Sequence, residues 1–337
     1  MTEVSAIIVA FGAEPWLEKA VERCAASRGV SVEVVVVDNG CSDGGVDRLR
    51  ARGDVVIVDP GTNLGFAEGC NEGVRAASGD VVVLVNQDAL VEPDALRALH
   101  DVATRPGVGI ATASVRLADR PELLNSAGNE IHPSGVSWSG SFEEPAASRA
   151  VERDVLAASG AACALRRSTW HDLGGFEREF FAYYEDADLS LRCWQRGLRV
   201  VYTPDAVVHH RYEFSRRPQK FELLERNRLM MVRSCYAMRT IVVLLPLLVV
   251  VEIGLTAMAL AQGWLRQKIA GWRWLARNRR FVSSRRRSIQ RSRIVADRSF
   301  AHLFSDDLLP GNLPPPAWFK PFNAVLRAYW KLARRLI

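Results

Sequence analysis

Val81-Val82-Val83-Leu84-Val85-Asn86-Gln87-Asp88 is the stretch from which the fold can be read. Five apolar residues in a row, four of them β-branched, make a short run that suits a strand covered on both faces. The run stops at two amides and a carboxylate. Outward from it the same pattern recurs. Val4–Ala10, Val32–Val37, Val55–Val58 and roughly Gly109–Ser114 are further β-branched or small apolar runs. Between them, Pro15–Ser27, Gly44–Arg52, Gly65–Ala77 and Pro93–Thr104 carry helical spacing, two of them with Pro in the first turn. Strand alternating with helix predicts a parallel sheet with helices on both faces, and ligands at the carboxyl ends of the strands.

Those ends are polar. Phe11-Gly12 follows the first strand, Asp38-Asn39-Gly40-Cys41-Ser42-Asp43-Gly44 the second and Gly61-Thr62-Asn63-Leu64-Gly65 the third. One Asp after a strand usually caps the next helix, but four polar tips in register point to a binding edge. There is no GxGxxG after the first strand and no GxxxxGK[ST], so a dinucleotide fold or a P-loop NTPase has no motif behind it.

The chain has 337 residues, 48% hydrophobic and 24% charged. That composition excludes a disordered chain, a collagen-like chain and a disulfide mini-scaffold. One apolar run approaches bilayer length, which excludes a many-spanning membrane protein. The six cysteines are scattered with no CxxC pair, as reduced thiols of a cytosolic protein would be. Met1-Thr2-Glu3 is acidic, and the apolar stretch after it is too short for a signal peptide. Charge is unevenly placed: residues 1–150 hold 12 basic and 22 acidic residues, the remainder 32 and 16. From Trp264 to Arg298, 12 basic residues meet one acidic. Such a block suits an anionic surface, lipid headgroups or nucleic acid.

From Arg116 to Asp154 the pattern is irregular and suggests a substrate-facing excursion. Val155–Leu165 reads as a strand and Ser168–Leu173 as a short helix, followed by the turn Gly174-Gly175-Phe176. Glu185-Asp186-Ala187-Asp188 precedes a helix over Leu189–Arg196. Arg199–Tyr202 and Ala206–Val208 are short apolar runs, the second leading into His209-His210. Gln219–Met238 is helical.

In order along the chain, Asp38, Asn63-Leu64-Gly65-Phe66 with Asn71, Asn86-Gln87-Asp88, Gly174-Gly175-Phe176, Glu185-Asp186-Ala187-Asp188-Leu189 and Val207-Val208-His209-His210 resemble a glycosyltransferase of family 2. The similarity covers about residues 4–236 and lies nearest the rhamnosyltransferase-like branch. It implies an α/β GT-A fold, a Rossmann-like, mostly parallel sheet flanked by helices. Residues 1–238 would form the catalytic domain, and residues 239–337 a helical, basic, membrane-associating extension.

The resemblance also implies an inverting transfer from a nucleotide-sugar donor. The donor would lie against Phe11, Asp38, Asn63, Gly65, Asn71, Asn86, Gln87 and Asp88. Asp38 at its strand end can accept the imide N–H of uracil or thymine, which favours UDP- or dTDP-sugars. Asn86-Gln87-Asp88 occupies the place of the family's Asp-X-Asp, so Asp88 is the surviving carboxylate. Relatives supply a His six residues after a Pro, and Pro204 makes that His210 rather than His209. Asp88 and His210 would therefore hold Mn²⁺ or Mg²⁺, with Asn86 bonding the donor. Asp186 would be the base that takes the acceptor proton, Glu185 its neighbour, which orients the acceptor or raises the base's pKa, and Asp188 an N-cap. On the helix, Arg226, Asn227 and Arg228 would contact a diphosphate.

Ile241–Leu260 is twenty residues with one acid, Glu252, and one proline, Pro246. Positive flanks on both sides argue against a simple span, so an interfacial or re-entrant insertion is expected, at the cytoplasmic face of the bacterial plasma membrane. Pro314-Pro315-Pro316 precedes a second basic amphipathic helix, Trp318–Ile337. An oligomer interface between copies is the alternative use of these helices. Membrane placement suggests a polyprenyl-diphosphate-linked glycan as acceptor, L-rhamnose from dTDP-rhamnose as donor, and UDP-galactofuranose as its rival. Two other classes compete: a non-catalytic binding partner, suggested by Asn86, and a nucleic-acid binder, for which no motif is present.

Overall fold

The computed structural model describes residues 2–211, 218–308 and 319–337. Packing divides them into two units. The first comprises residues 1–129, 139–193 and 198–213, the second 130–138, 194–197 and 214–337. The helix after residue 217 packs with the C-terminal helices, twenty residues ahead of the border at 238 drawn from sequence.

The first unit is built on a mixed sheet. Its strands are β1 (Val4–Gly12), β2 (Val32–Cys41), β3 (Val56–Val58), β4 (Val81–Val85), β5 (Ala89–Val91), β6 (Val108–Leu117) and β7 (Leu124–Ser126). After the ribbon β8 (Asn129–Ile131) and β9 (Ser137–Ser139) come β10 (Arg153–Asp154), β11 (Ala162–Arg166) and β12 (Arg199–His210). The sheet order is β10-β12-β6-β11-β4-β1-β2-β3. β1 pairs in parallel with β2 and β4, β2 with β3, and β6 with β12. β11 runs antiparallel between β4 and β6. The result is the expected α/β sandwich, with helices α1 (Leu17–Ala25), α2 (Gly45–Arg52), α3 (Gly65–Ala76), α4 (Ala95–Ala103), α5 (Arg167–Leu173) and α6 (Glu185–Gln195).

Several sequence expectations shift. β1 and β2 run on to Gly12 and Cys41, so their polar tips are the last strand residues. The strand expected over 155–165 narrows to β11. Arg199–His210 is one strand, not two, with a register shift between Thr203 and Val207. Pro204 falls in that interval, where a missing N–H costs no ladder bond. Helix α6 begins at Glu185, four residues earlier than expected. The Pro314-Pro315-Pro316 break lies outside the described residues.

Helix α3 explains how close the layers come. Gly65, Gly69 and Gly73 share one face, at steps of four. A Cβ on Gly73 would come within 2.3 Å of Ile7 Cγ2, and one on Gly69 within 2.9 Å of Val9 Cγ1. The glycines let the helix backbone settle onto β1, against the buried side chains Ile7 and Val9.

The second unit holds α7 (Pro218–Cys235), α8 (Met238–Ala261), α9 (Leu265–Arg277), α10 (Arg279–Ser292) and α11 (Phe319–Ala333). Its small core joins Leu247 and Val251 of α8 to Trp138, Leu308 and Leu326.

Gly73→Ala adds a methyl where none fits. Overpacking outweighs the gain in helix propensity, so we expect a loss of about 1–2 kcal/mol, read from the midpoint of urea unfolding; an unchanged midpoint would refute the close-approach reading.

Candidate active site

The edge formed by β1, β2 and β4 is organised by side-chain amides. Gln87 accepts the Phe11 N–H at 2.8 Å and donates to the Phe11 carbonyl at 2.9 Å. It thus continues the ladder one step beyond the end of β4 and leaves the Phe11 ring 49% exposed. The ring lies against Gly40, whose φ of +100° suits glycine. Asp38 Oδ1 accepts the N–H groups of Gly40 and Cys41 at 3.2 and 2.9 Å, closing the turn at the tip of β2.

The loop before α3 is stitched to β2. Asn39 accepts from the Leu64 N–H at 2.7 Å and donates to Asn63 Oδ1 at 3.0 Å. Asn63 Oδ1 also takes the Gly65 N–H at 2.8 Å. Gly65 has φ +79°, and a Cβ there would lie 2.5 Å from the Phe181 carbonyl oxygen. Asn71 accepts from the Phe176 N–H at 3.0 Å and donates to the Phe176 carbonyl at 2.9 Å and to Glu68. Asn63 and Asn71, expected against the donor, have these amide groups committed to backbone, and Gly65 is fixed by the approach of Phe181.

Asp88 and His210 come together. His210 Nε2 lies 3.2 Å from Asp88 Oδ1 and 3.4 Å from Asn86 Nδ2. Its Nδ1 meets Asn125 Oδ1 at 3.0 Å, an acceptor to which Nδ1 donates and which orients the ring. His209 points the other way along β12 and pairs with Glu92 at 2.9 Å. Beside Asp88 runs a second pair: Arg211, whose N–H donates to the Asp88 carbonyl at 3.0 Å, binds Glu14 at 2.6 Å. Burial pushes the Glu14 carboxyl above its ordinary range.

The acid pair opens α6 after a strained turn. Phe181, Tyr183 and Tyr184 all have positive φ, and the Ala182 N–H reaches the Phe180 carbonyl at 2.7 Å around Phe181. Such backbone persists only where the surroundings fix it. Asp186 Oδ2 accepts the Gly160 N–H and the Asn129 side-chain N–H, each at 2.9 Å, and Oδ1 accepts the Ala187 N–H at 2.7 Å. Burial raises the Asp186 carboxyl, and those donors pull it back. Glu185 is held well above the carboxylate range, first by burial and then by the Asp186 charge, and its Oε2 has no hydrogen-bond partner. Both carboxyls are thus raised, Glu185 further than Asp186.

Asp188 is not an N-cap. It lies inside α6, fully buried, and pairs with Arg192 at 2.8 Å. Arg192 also donates to the Gly175 carbonyl at 2.7 Å and to the Leu173 carbonyl, so the ion pair anchors the Gly174-Gly175-Phe176 turn.

Arg226, Asn227 and Arg228 belong to the second unit and are all buried. Arg226 donates to Asn227 at 2.9 Å and lies over the Trp274 ring, 4.7 Å from its centroid. Arg228 bonds Glu225, Glu252 and the Ser134 carbonyl. These side chains, expected to contact a diphosphate, are engaged here in packing and in a buried charge network.

Sequence reading missed Asn125, Asn129, Gly160, Glu14 and Arg211. Asn125 and Asn129 fall in the irregular 116–154 stretch, where no period marks a position. Arg211 alone carried a signal, as the residue following His210.

The comparisons with known proteins follow this geometry. The family model described as glycosyltransferase-like family 2 matches residues 2–234. The N-acetylglucosaminyl-diphospho-decaprenol L-rhamnosyltransferase of Mycobacterium tuberculosis H37Rv is 28% identical over 242 residues, 63% of this chain and 77% of that protein. Among solved structures, Staphylococcus aureus TarS 1–349 with UDP-GlcNAc superposes at a TM-score of 0.56 and 13% identity, covering 99% of this chain and 90% of that one. GalNAc-T7 with UDP, GalNAc and Mn²⁺ superposes at 0.58 and 15% identity over 71% of this chain, which spans 49% of that structure. At such identities the structural likeness speaks for the fold, which is GT-A. With the family model covering well over half its length, the chain belongs to glycosyltransferase family 2 and is a glycosyltransferase.

Proposed function

We propose that this enzyme moves L-rhamnose from dTDP-rhamnose onto a polyprenyl-diphosphate-linked glycan with inversion, at the inner face of a bacterial membrane, with Asp186 as the base. The observation that carries the reading is the environment of Asp186. Three N–H donors stabilise its anion while burial lifts its proton affinity, the compromise that a base working near neutrality needs. Glu185 beside it, its carboxyl raised well above the ordinary range by burial, would orient the acceptor. The similarity to a rhamnosyltransferase whose name specifies a decaprenol-linked acceptor supports the sugar and the acceptor class.

The donor end is supported by chemistry of a different kind. Asp88 and His210 bring a carboxylate oxygen and an imidazole nitrogen within 3.2 Å of each other, a donor pair that suits Mn²⁺. Among the described residues no third His, Cys, Asp or Glu joins them, so the nucleotide diphosphate and water would complete the shell. A cation held by Asp88 and His210 would supply charge neutralisation for the departing diphosphate. Asn125 fixes the ring that would bind it. Phe11 offers a face for a base, and Asp38 an acceptor at the same edge.

Three outcomes test this. In thermal unfolding with dTDP, UDP, GDP or ADP, each with Mn²⁺ or EDTA, dTDP with Mn²⁺ at a hundred times its Kd should add about 2.7 kcal/mol; equal shifts with all four nucleotides, or none, would remove the donor assignment. Asp186→Asn should cut kcat by about 10²–10⁴ with nucleotide binding unchanged, and surviving turnover would show another group to be the base. Asn129→Ala removes one donor to the Asp186 anion, so its carboxyl rises further and the acid limb of kcat/KM moves to higher pH. We expect about a tenfold loss on that limb, closing as pH rises; a uniform loss at every pH would mean that Asn129 serves only packing.

A further inference from the structure

Helix α8 turns one apolar face outward. Met238, Val242, Leu245, Val249, Ile253 and Leu260 are exposed, Val242 by 62%, Ile253 by 64% and Leu260 by 68%. Their spacing sets them along one side of the helix, over about 33 Å at 1.5 Å per residue. The opposite side is covered: Thr240, Leu244, Leu247, Val251 and Ala259 are buried. Helix α11, which packs on α8, adds exposed Val325 and Leu332.

Charge at the edge of that outward face decides how such a helix meets lipid. Glu252 is bound by Arg228 of α7 and by Lys268 of α9, the latter at 2.9 Å, and accepts the Trp272 indole N–H at 3.0 Å. Helices α7 and α9 are therefore fastened beside α8 past its midpoint. An α8 crossing the bilayer upright would draw α9 into hydrocarbon with its exposed Arg266, Arg273 and Arg277, which is strongly unfavourable. A helix lying flat exposes only its apolar face to the acyl chains and leaves the charges on the wet side. On α10, Ser284, Arg287, Ser288, Arg291 and Ser292 line one surface concavity, and Arg287 and Arg291 have no ion-pair partner among the described residues. That chemistry suits anionic headgroups.

We propose that the second unit docks on an anionic bilayer with α8 lying in the interface plane, its 238–260 face toward the acyl chains and the α10 arginines toward headgroup phosphates. This deepens the membrane part of the function proposed above. It concerns a surface separate from the nucleotide edge, so nucleotide binding measured in the same preparation tells the failure of one reading from the failure of the other.

The test is flotation of the full chain with sealed vesicles, of phosphatidylcholine alone or with one-third phosphatidylglycerol, at about 0.1 M and about 1 M salt. Flotation should favour the anionic vesicles about tenfold at low salt, the preference shrinking at high salt. Val242→Glu and Ile253→Glu, both at exposed positions, should each lower it more than tenfold at an unchanged unfolding temperature. With Arg239→Cys or Ala261→Cys, exposed positions at the two ends of α8 but off the lipid-facing side, and a membrane-impermeant maleimide outside the vesicles, both ends of α8 should label above the parent's background. Labelling at one end only would mean a span and overturn the proposal. So would flotation insensitive to both glutamates, or a lipid-free dimer that Ile253→Glu splits and that binds no vesicle.

Discussion

The site depends on one short piece of backbone, Gly160-Ala161, leading into β11. The Ala161 carbonyl accepts the Asn86 N–H at 3.0 Å, and the neighbouring Gly160 N–H reaches Asp186 at 2.9 Å. One dipeptide thus ties the tip of β4 to the first turn of α6. It is there because β11 runs antiparallel between β4 and β6; a parallel strand would bring its other end to this edge. The approach is anchored from both sides. Ser159 N–H bonds Thr112 Oγ1, and Ala158 N–H bonds Ser190 Oγ, whose own hydrogen returns to the Asp186 carbonyl. The N–H groups of Ala158, Ser159 and Gly160 each have a fixed partner, so the carboxylate is held by structure that costs little to reorganise when charge changes.

Electrostatics then separates three acids that lie within four residues of one another. Asp188 is neutralised by Arg192 in a buried pair whose guanidinium also donates to two backbone carbonyls. Glu185 has no such partner among the described residues, and burial holds its carboxyl well above the ordinary range. Asp186, the most exposed of the three, receives N–H dipoles but no full positive charge. Had Arg192 reached Asp186 instead, the base would be a spectator anion of low proton affinity. The turn of Phe181, Tyr183 and Tyr184 serves the same end. Its positive-φ residues bring the chain onto α3, where only the missing side chain of Gly65 allows the Phe181 carbonyl to fit.

The elements of the first unit were legible because strand and helix leave periodic marks, and the strand tips were legible because polar residues interrupt apolar runs. Glu185, Asp186, Asp88 and His210 could be picked out by order along the chain. What a side-chain amide binds could not. Asn63, Asn71 and Gln87 look alike in sequence whether they face a ligand or fasten backbone, and here they fasten backbone at Gly65, Phe176 and Phe11. Asn125 and Asn129 were illegible for the opposite reason: they act on residues 85 and 57 positions away, from a stretch without period. Asp188 was misread because an acid before an apolar helical run caps it only when the helix starts there.

The second unit shows the limit in its sharpest form. Glu225-Arg226-Asn227-Arg228 reads as a solvated or ligand-binding helix face, yet every member is buried. Arginine is tolerated inside only where carboxylates or aromatic faces receive it, and those come from Glu225, from Glu252 fourteen residues into α8, and from Trp274 on α9. None is close in sequence to the arginine it serves, apart from Glu225. The acid that appears misplaced in an apolar helix and the arginines that appear available for phosphate are thus two halves of one network. Removing either half would leave the other buried and uncompensated. That mutual dependence is why Glu252 interrupts an apolar run of bilayer length, and why the same helix that faces outward with leucine, valine and isoleucine is fixed inward by charge.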